Sequence, residues 1–326
     1  MPVPTGGPPI LDVHAHLLAD PPGDFRAAVT NALKVMDQFA IARTVIMAPP
    51  QPPGFRNGYD YDAFLPAIRP HATRFAFLGG GALLNGLVHG TPAERVGSGA
   101  LRTFEEAAER ILAAGAAGFG ELAVHHVSYF AQHPYESVPA DHPLLLLLAD
   151  IAARHDVPID LHLDPIPADM PPPPRIAGGN NPRTLAANIS RFELLLAHNR
   201  KTKIVWAHAG RDTLGTWSIT LTRRLLEAHS NLYLSLSMHP PGGLVVENSL
   251  MGPEGSPNDR WIALLADFPD RATVGSDFFH QPTGRSAATL PPPTPGIRRF
   301  VNALPEALAK KVASENAARL YRLQLG

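Results

Sequence analysis

The feature that most constrains this chain is a rhythm. Short apolar runs alternate with longer segments of helical period along its length. The runs are Ile10–His14, Thr44–Met47, Phe75–Gly79, Gly118–Val124, Pro158–Leu163, Lys203–Ala207, Leu232–Ser237 and Ala272–Ser276. Helical spacing is read over Phe25–Phe39, Thr103–Ala114, Pro143–His155, Leu185–His198, Leu214–Ala228 and Asp259–Phe268, and helices over Leu304–Leu323 close the chain. A strand–helix alternation implies a parallel sheet. Parallel strands are covered on both faces, and most of these runs are continuously apolar as that burial requires.

Eight such units in 326 residues suit a closed barrel of the (β/α)8 kind, an α/β TIM barrel with extended βα loops, better than an open doubly wound sheet. No G-x-G-x-x-G follows the first run, so the commonest sign of the open sheet is missing. The glycine run Gly79–Gly81 reads as a tight turn rather than a phosphate cradle. No linker and no repeat beyond the βα unit is seen, so residues 1–326 are read as one domain.

The loops between the runs should carry the chemistry, because βα loops all rise from one face of a barrel. Four are long: Ala48–Pro70, His125–His142, Asp164–Arg183 and Met238–Pro257. Much of the proline, 35 residues in all, is clustered at Pro49–Pro53, Pro165–Pro182 and Pro291–Pro295. Such clusters neither pair in a sheet nor continue a helix, so they read as loop. The loops 164–183 and 238–257 are expected to roof the mouth, and their apolar content points to a mostly non-ionic small molecule.

Charge and composition narrow the partners. Hydrophobic residues make up 45% and charged residues 17%, with a formal net charge of −1. No field draws in a polyanion, so neither nucleic acid nor a membrane surface is expected as partner. The start lacks the basic and apolar regions of a signal peptide, and no apolar stretch is long enough to span a bilayer, so a cytoplasmic protein is expected. With no cysteine, any metal must be held by nitrogen and oxygen, and a thiol nucleophile is excluded. There is no G-x-S-x-G elbow and no Walker loop.

What remains is a set of metal-capable side chains at strand ends. The first run ends in Asp12-Val13-His14-Ala15-His16, and residues two apart on a strand share a face. Two imidazoles so placed can chelate one divalent ion. The fourth run reaches Glu121, the fifth His162, the sixth His208 and the eighth Asp277. One histidine after an apolar run is usually a satisfied polar residue. Five or six such side chains at corresponding ends are hard to explain that way, because those ends converge on one mouth.

This pattern resembles the amidohydrolase superfamily, and most closely its amidohydrolase-2 branch, the proteins like aminocarboxymuconate semialdehyde decarboxylase. The tail Asn316-Ala317-Ala318-Arg319-Leu320 is also similar to that branch, and the resemblance covers nearly the whole chain. It implies that His14, His16, His162 and Asp277 ligate metal. It implies that Asp277 takes a proton from the attacking water. It gives His208 either a second metal or a hydrogen bond over the reaction centre. Glu121 stands where the superfamily often bridges two metals with a carboxylated lysine or a glutamate; orienting a ligand is the alternative.

Of His125 and His126, His126 is chosen to enter the mouth because the branch often has His two residues before Ser, as in His126-Val127-Ser128; a surface pair is the alternative. Arg211 either clamps a substrate carboxylate in bidentate fashion or pairs with a surface carboxylate. Ser235, Ser237 and His239 are candidates to line the pocket, and Trp206 is expected to pack between barrel and helices. The expected activity is hydrolysis of a C–O or C–N bond in a lactone, ester or amide, with decarboxylation as the alternative; that alternative needs Arg211 or another mouth arginine, Arg183 or Arg285, to act on a substrate carboxylate. Zinc is the first expectation, as one or two ions; manganese, nickel and iron also suit the donors. Barrels of this kind often pair, which leaves room for a homodimer.

Overall fold

A computed structural model describes residues 6–19, 23–238, 248–252, 255–282 and 294–324. In chain order its elements are β1 (Ile10–Leu17), α1 (Arg26–Gln38), β2 (Ile41–Ile46), α2 (Tyr61–Ile68), β3 (Phe75–Phe77), β4 (Gly79–Gly80), α3 (Leu83–Gly90), α4 (Ser98–Ala113), β5 (Phe119–His126), β6 (Glu136–Ser137) and α5 (Pro143–His155). There follow β7 (Pro158–Leu163), α6 (Ile189–His198), β8 (Lys203–Ala209), α7 (Ile219–Ala228), β9 (Leu232–Leu236), α8 (Asp259–Asp267), β10 (Ala272–Val274), β11 (Phe278–His280), α9 (Thr294–Ala303), α10 (Glu306–Lys310) and α11 (Asn316–Tyr321).

The strands pair in the order β3-β2-β1-β10-β9-β8-β7-β5-β4. All these pairings are parallel. β3 and β4 are two halves of one extended run broken at Leu78. β3 pairs with β2, β4 pairs with β5, and Leu78 N–H donates to Ile46 O at 3.0 Å. The order therefore returns to its starting strand, and eight runs ring a barrel as the alternation predicts. The break gives the third run a different partner on each side: Phe75–Phe77 faces β2, and the side-chain-free Gly79–Gly80 lies against Phe119–Gly120.

Two apolar layers hold it. The larger lies between strands and helices and includes Trp206, which is fully buried and stacked on Trp217 at 4.1 Å between ring centres. The smaller joins Leu11 and Val13 of β1, Val45, Met47, Leu78 and Val205 to Ala317, Leu320 and Tyr321 of α11. The C-terminal helix thus seals one end of the barrel and leaves the C-terminal strand ends to form the other.

Several elements differ from expectation. The region 48–70 is not all loop: α2 forms within it, capped by Asp60, whose carboxylate accepts from Tyr61 N–H at 2.7 Å, and it tolerates Pro66 in its interior. α3, β6 and β11 carry too few periodic residues to be read from sequence. α6 and α7 start later than expected, at Ile189 and Ile219, each one residue after an Asn188 or Ser218 cap position. Thr294 and Pro295, expected in a loop, open α9, where proline's missing N–H costs nothing in the first turn. Residues 291–293 lie outside the described residues.

At the Gly79–Gly81 turn and the residues after it the backbone forms a small anion nest. The backbone N–H groups of Gly80, Ala82 and Leu83 converge on the Asp60 carboxylate at 2.8–3.2 Å. This anion nest is filled by the protein's own side chain, so it ties the loop after β2 to the loop after β4.

Candidate active site

The strand-end residues His14, His16, Glu121, His162, His208 and Asp277 arrive at one mouth. His14 and His16 of β1 are buried, with their Nε2 atoms 3.2 Å apart. His16 Nδ1 lies 2.9 Å from Met47 O, which fixes the ring so that Nε2 turns inward. Glu121, on β5, sits between two pairs of imidazoles. Its Oε2 lies 3.3 Å from His14 Nε2 and 3.5 Å from His16 Nε2. Its Oε1 lies 2.9 Å from His162 Nδ1 and 2.8 Å from His208 Nε2. Asp277 faces His16 Nε2 through Oδ1 at 3.2 Å, and Arg211 and His208 through Oδ2.

The backbone strains to achieve this. His208 and Asp277 have φ of 66° and 51°, the left-handed region that L-residues with a side chain seldom enter. Such conformations cost about 1–3 kcal/mol each and gather at functional sites. In β1, Leu11 and Val13 join the cluster sealed by α11, yet His14 and His16 face the mouth. The pairing with β2 shifts register between Asp12 and Ala15, and that irregularity is where the change of face is made. Asp12 anchors it by accepting from Ser276 N–H at 2.8 Å and Ser276 Oγ at 2.6 Å.

Charge in this pocket is dense and mutually compensating. Burial resists ionisation of Glu121, but His14 and the bonds from His162 and His208 outweigh it and hold the carboxyl well below its usual range. Burial also disfavours charge on Asp277, and His208 and Arg211 overcome it. His14 is opposed by burial yet held well above its usual value by Asp160 and Glu121. His162 is likewise opposed by burial and pushed up to about 10 by Asp164 and Glu121. Burial wins at His208, which is lowered.

The donors fit a divalent cation. His14, His16 and Glu121 form one group with ligand atoms within 4.8 Å of one another; His14, His208 and Asp277 form a second, and Glu121, His162 and His208 a third. All are nitrogen or carboxylate oxygen, the set that zinc, manganese and iron accept.

The cavity in front of this cluster has a volume of about 300 Å3, the small end of the usual ~300–1,000 Å3 for ligand pockets. Its lip comes from Pro49, Pro50 and Phe55 on one side and Tyr129, His133 and Pro134 on the other, with Phe279 beside Asp277. The roof thus differs from expectation: from the loop 164–183 only Asp164 lines the cavity. That loop packs instead on the one after β5, through Asn181 Nδ2 to Ser128 O at 2.8 Å. The described part of 238–257 packs against the barrel, with Asn248 Nδ2 on Asp212 Oδ2 at 2.8 Å; residues 239–247, His239 among them, lie outside the described residues, as does Arg285.

His126 does line the cavity, its ring 4.1 Å from that of His162, while its neighbour His125 turns to Tyr135. Arg211 lines it too, and pairs with Asp277 rather than with a surface carboxylate. Arg183 is exposed. Ser235 and Ser237 are buried and do not border the cavity; Ser235 Oγ packs against Gly275 instead. Sequence reasoning missed Asp160, Asp164, Tyr129 and His133. The first two had a signal. Asp160-Leu161-His162-Leu163-Asp164 alternates titratable and apolar side chains with a strand's period, so all three polar groups share one face.

The fold and the mouth together define an α/β barrel with imidazoles and carboxylates gathered at the C-terminal strand ends. The chain belongs to the amidohydrolase family, whose profile matches residues 11–323. Among solved structures it is similar to a probable 2-pyrone-4,6-dicarboxylic acid hydrolase from Acinetobacter baumannii, at 15% identity and a TM-score of 0.57, covering 96% of this chain and 99% of that one. It is also similar to 5-carboxyvanillate decarboxylase from Sphingomonas paucimobilis, at 14% identity and a TM-score of 0.50 over 97% and 99% of the chains. A zinc-bound amidohydrolase from Burkholderia multivorans matches at 16% identity and a TM-score of 0.50 over 97% and 100%. No curated protein matches the sequence significantly. No helix among the described residues is long and apolar enough to cross a membrane.

Proposed function

We propose that this chain is a metal-dependent hydrolase that opens a C–O or C–N bond beside a carbonyl in a small lactone, ester or amide. The observation that carries it is the two-sided setting of Glu121. One carboxylate oxygen faces His14 and His16, and the other faces His162 and His208. Where two divalent ions bind, His14, His16, Glu121 and Asp277 would hold one, and Glu121, His162 and His208 would hold the other. Zinc is the first choice for such donors. When bound, the metal supplies a water acidic enough to attack near neutral pH and polarises the carbonyl.

The protein's own groups do the rest. Asp277 accepts the proton of the attacking water and returns it to the leaving group. Its carboxyl stays ionised because His208 and Arg211 stabilise the charge against burial. Where His208 is not taken up as a ligand of the second ion, it steadies the oxygen that gains negative charge. Arg211 and His126 hold the substrate in a cavity that admits one small ring or a short acyl compound.

Elemental analysis of protein purified without chelator tests this directly. The expected result is nearly two equivalents of divalent metal per chain, falling to about one in Glu121→Gln. Acid release from a panel of small lactones, esters and amides should accompany it and vanish in Asp277→Asn. No bound divalent metal under any condition refutes the reading. The second reading, decarboxylation, has Arg211 in its favour, since a guanidinium lining the cavity can grip a substrate carboxylate. Release of CO2 from an aromatic carboxylate, lost in Arg211→Ala, would select it; full activity in Arg211→Ala counts against it.

A further inference from the structure

We propose that Asp160 is a positioning residue for His14: it anchors the far side of that imidazole so that Nε2 is presented to the metal. The inference rests on the metal reading of the mouth. Asp160 lies on β7 two residues before His162, has no exposed surface, and points its Oδ1 at His14 Nδ1 across 3.1 Å. Among the described residues neither carboxylate oxygen has a well-aligned hydrogen bond, and His14 Nδ1 is likewise without one, so the two face each other as a close buried pair. A carboxylate left like this inside a barrel is costly, because burial removes its hydration and only pairing restores part of the loss. The polar atom paired with it at 3.1 Å is the nitrogen of His14 that cannot reach the metal when Nε2 does.

The space around the pair is cleared for it. A Cβ on Gly120 would stand 2.7 Å from Asp160 Cβ, and one on Gly275 would stand 2.8 Å from His14 Cβ. Gly120 of β5 and Gly275, one residue past β10, thus carry no side chain where this carboxylate and this imidazole meet. A carboxylate on the distal nitrogen of a metal-ligating histidine fixes its tautomer and ring orientation and strengthens it as a ligand. Asp160 is not in the cavity lining, so it meets no substrate and works only through His14.

The test is zinc affinity, measured by competition with a chromophoric chelator on wild-type, Asp160→Asn and Asp160→Leu protein, with the melting point of each metal-free form in parallel. Zinc should bind about 10–100-fold more weakly in the variants, with the leucine variant at the larger end. The metal-free variants should melt at or below the wild-type temperature, since His14 loses the buried carboxylate that pairs with it. Equal zinc affinity in wild type and Asp160→Asn overturns the inference. So does a lower melting point with unchanged affinity in the folded protein, which would make Asp160 purely structural. If Asp160→Leu fails to fold, the isosteric asparagine variant still decides. Wild-type protein that binds no zinc or manganese refutes the metal reading itself, and this inference with it; wild-type binding alongside normal variants refutes only the role of Asp160.

Discussion

The two ends of the barrel are equally dry and chemically opposite. At the sealed end, Leu11, Val13 and Val205 meet Leu320 and Tyr321, all at most 2% exposed. At the mouth, His14, His16 and Glu121 are also at most 2% exposed, yet they bring several ionisable groups into mutual contact. The same strand, β1, supplies both ends within six residues. Burial alone therefore says nothing about role here. The sealed end is held by removing apolar surface from water, whereas the mouth keeps its charges only because each is compensated by another. The first end is built for stability and the second stores a requirement for a cation.

The largest expected effect breaks the comparison by exchanging the roles. Leu11→Ala should cost about 2–5 kcal/mol of unfolding free energy in denaturant titration, through lost burial and a cavity, while leaving metal content per folded chain unchanged. Glu121→Gln should do the reverse, halving the metal with a smaller change in stability. A Leu11→Ala protein that keeps its stability but loses metal would show that the two ends are not separable.

The response to pH sharpens it. In the metal-free protein His162 has a folded pKa of about 10, above its ordinary value, so the stability it contributes is full below about 6.5 and is lost as pH rises towards 10. Glu136, buried behind the mouth and pushed up to about 7, adds a loss of the same sign between its ordinary range and 7. Burial, with help from His16, drives His280 down to about 3, so its contribution is present near neutrality and lost as pH falls from about 6.5 towards 3. Metal-free protein should thus be most stable between about pH 4.5 and 6.5, where the opposite slopes of Glu136 and His280 offset each other, and should lose stability above that. Bound metal must displace the protons on His14 and His162, so its affinity should rise with pH and its binding should release protons. A metal-free stability profile flat from pH 7 to 10 would contradict the coupling drawn between His162, Asp164 and Glu121.

How much of this was legible in sequence follows the same division. The sealed end and the strand ladder declared themselves through apolar periodicity, and all eight runs lie where that pattern puts them. The ligand candidates declared themselves by residue type at strand ends. Three things did not. The register shift in β1 is set by pairing with β2, so a strict alternation from Leu11 cannot anticipate it. The left-handed backbone at His208 and Asp277 is imposed by the surrounding fold, against the preference of both residue types. The lip of the cavity comes from Pro49–Phe55 and Tyr129–Pro134, loops whose composition resembles that of the 164–183 loop that stays away. Asp160 was overlooked for a different reason: a polar residue in an apolar run reads as an exception unless its neighbours two and four positions on are counted with it.

The smallest effect lies at the seam between the two ends. Asp12 sits between Leu11 and Val13 yet accepts from Ser276 N–H, Ser276 Oγ and His14 N–H. Burial raises its carboxyl, against those bonds. Asp12→Ala leaves buried donors beside the metal-capable His14 and Asp277 without an acceptor, and should cost about 1–3 kcal/mol. Asp12→Asn keeps an oxygen for the two backbone donors and lets the Ser276 hydroxyl turn, so it should cost little. If both variants lose stability equally, the charge of Asp12 matters and the seam belongs electrostatically to the mouth. If only the alanine variant does, the seam is a hydrogen-bonded splice that allows one strand to serve an apolar end and a charged one.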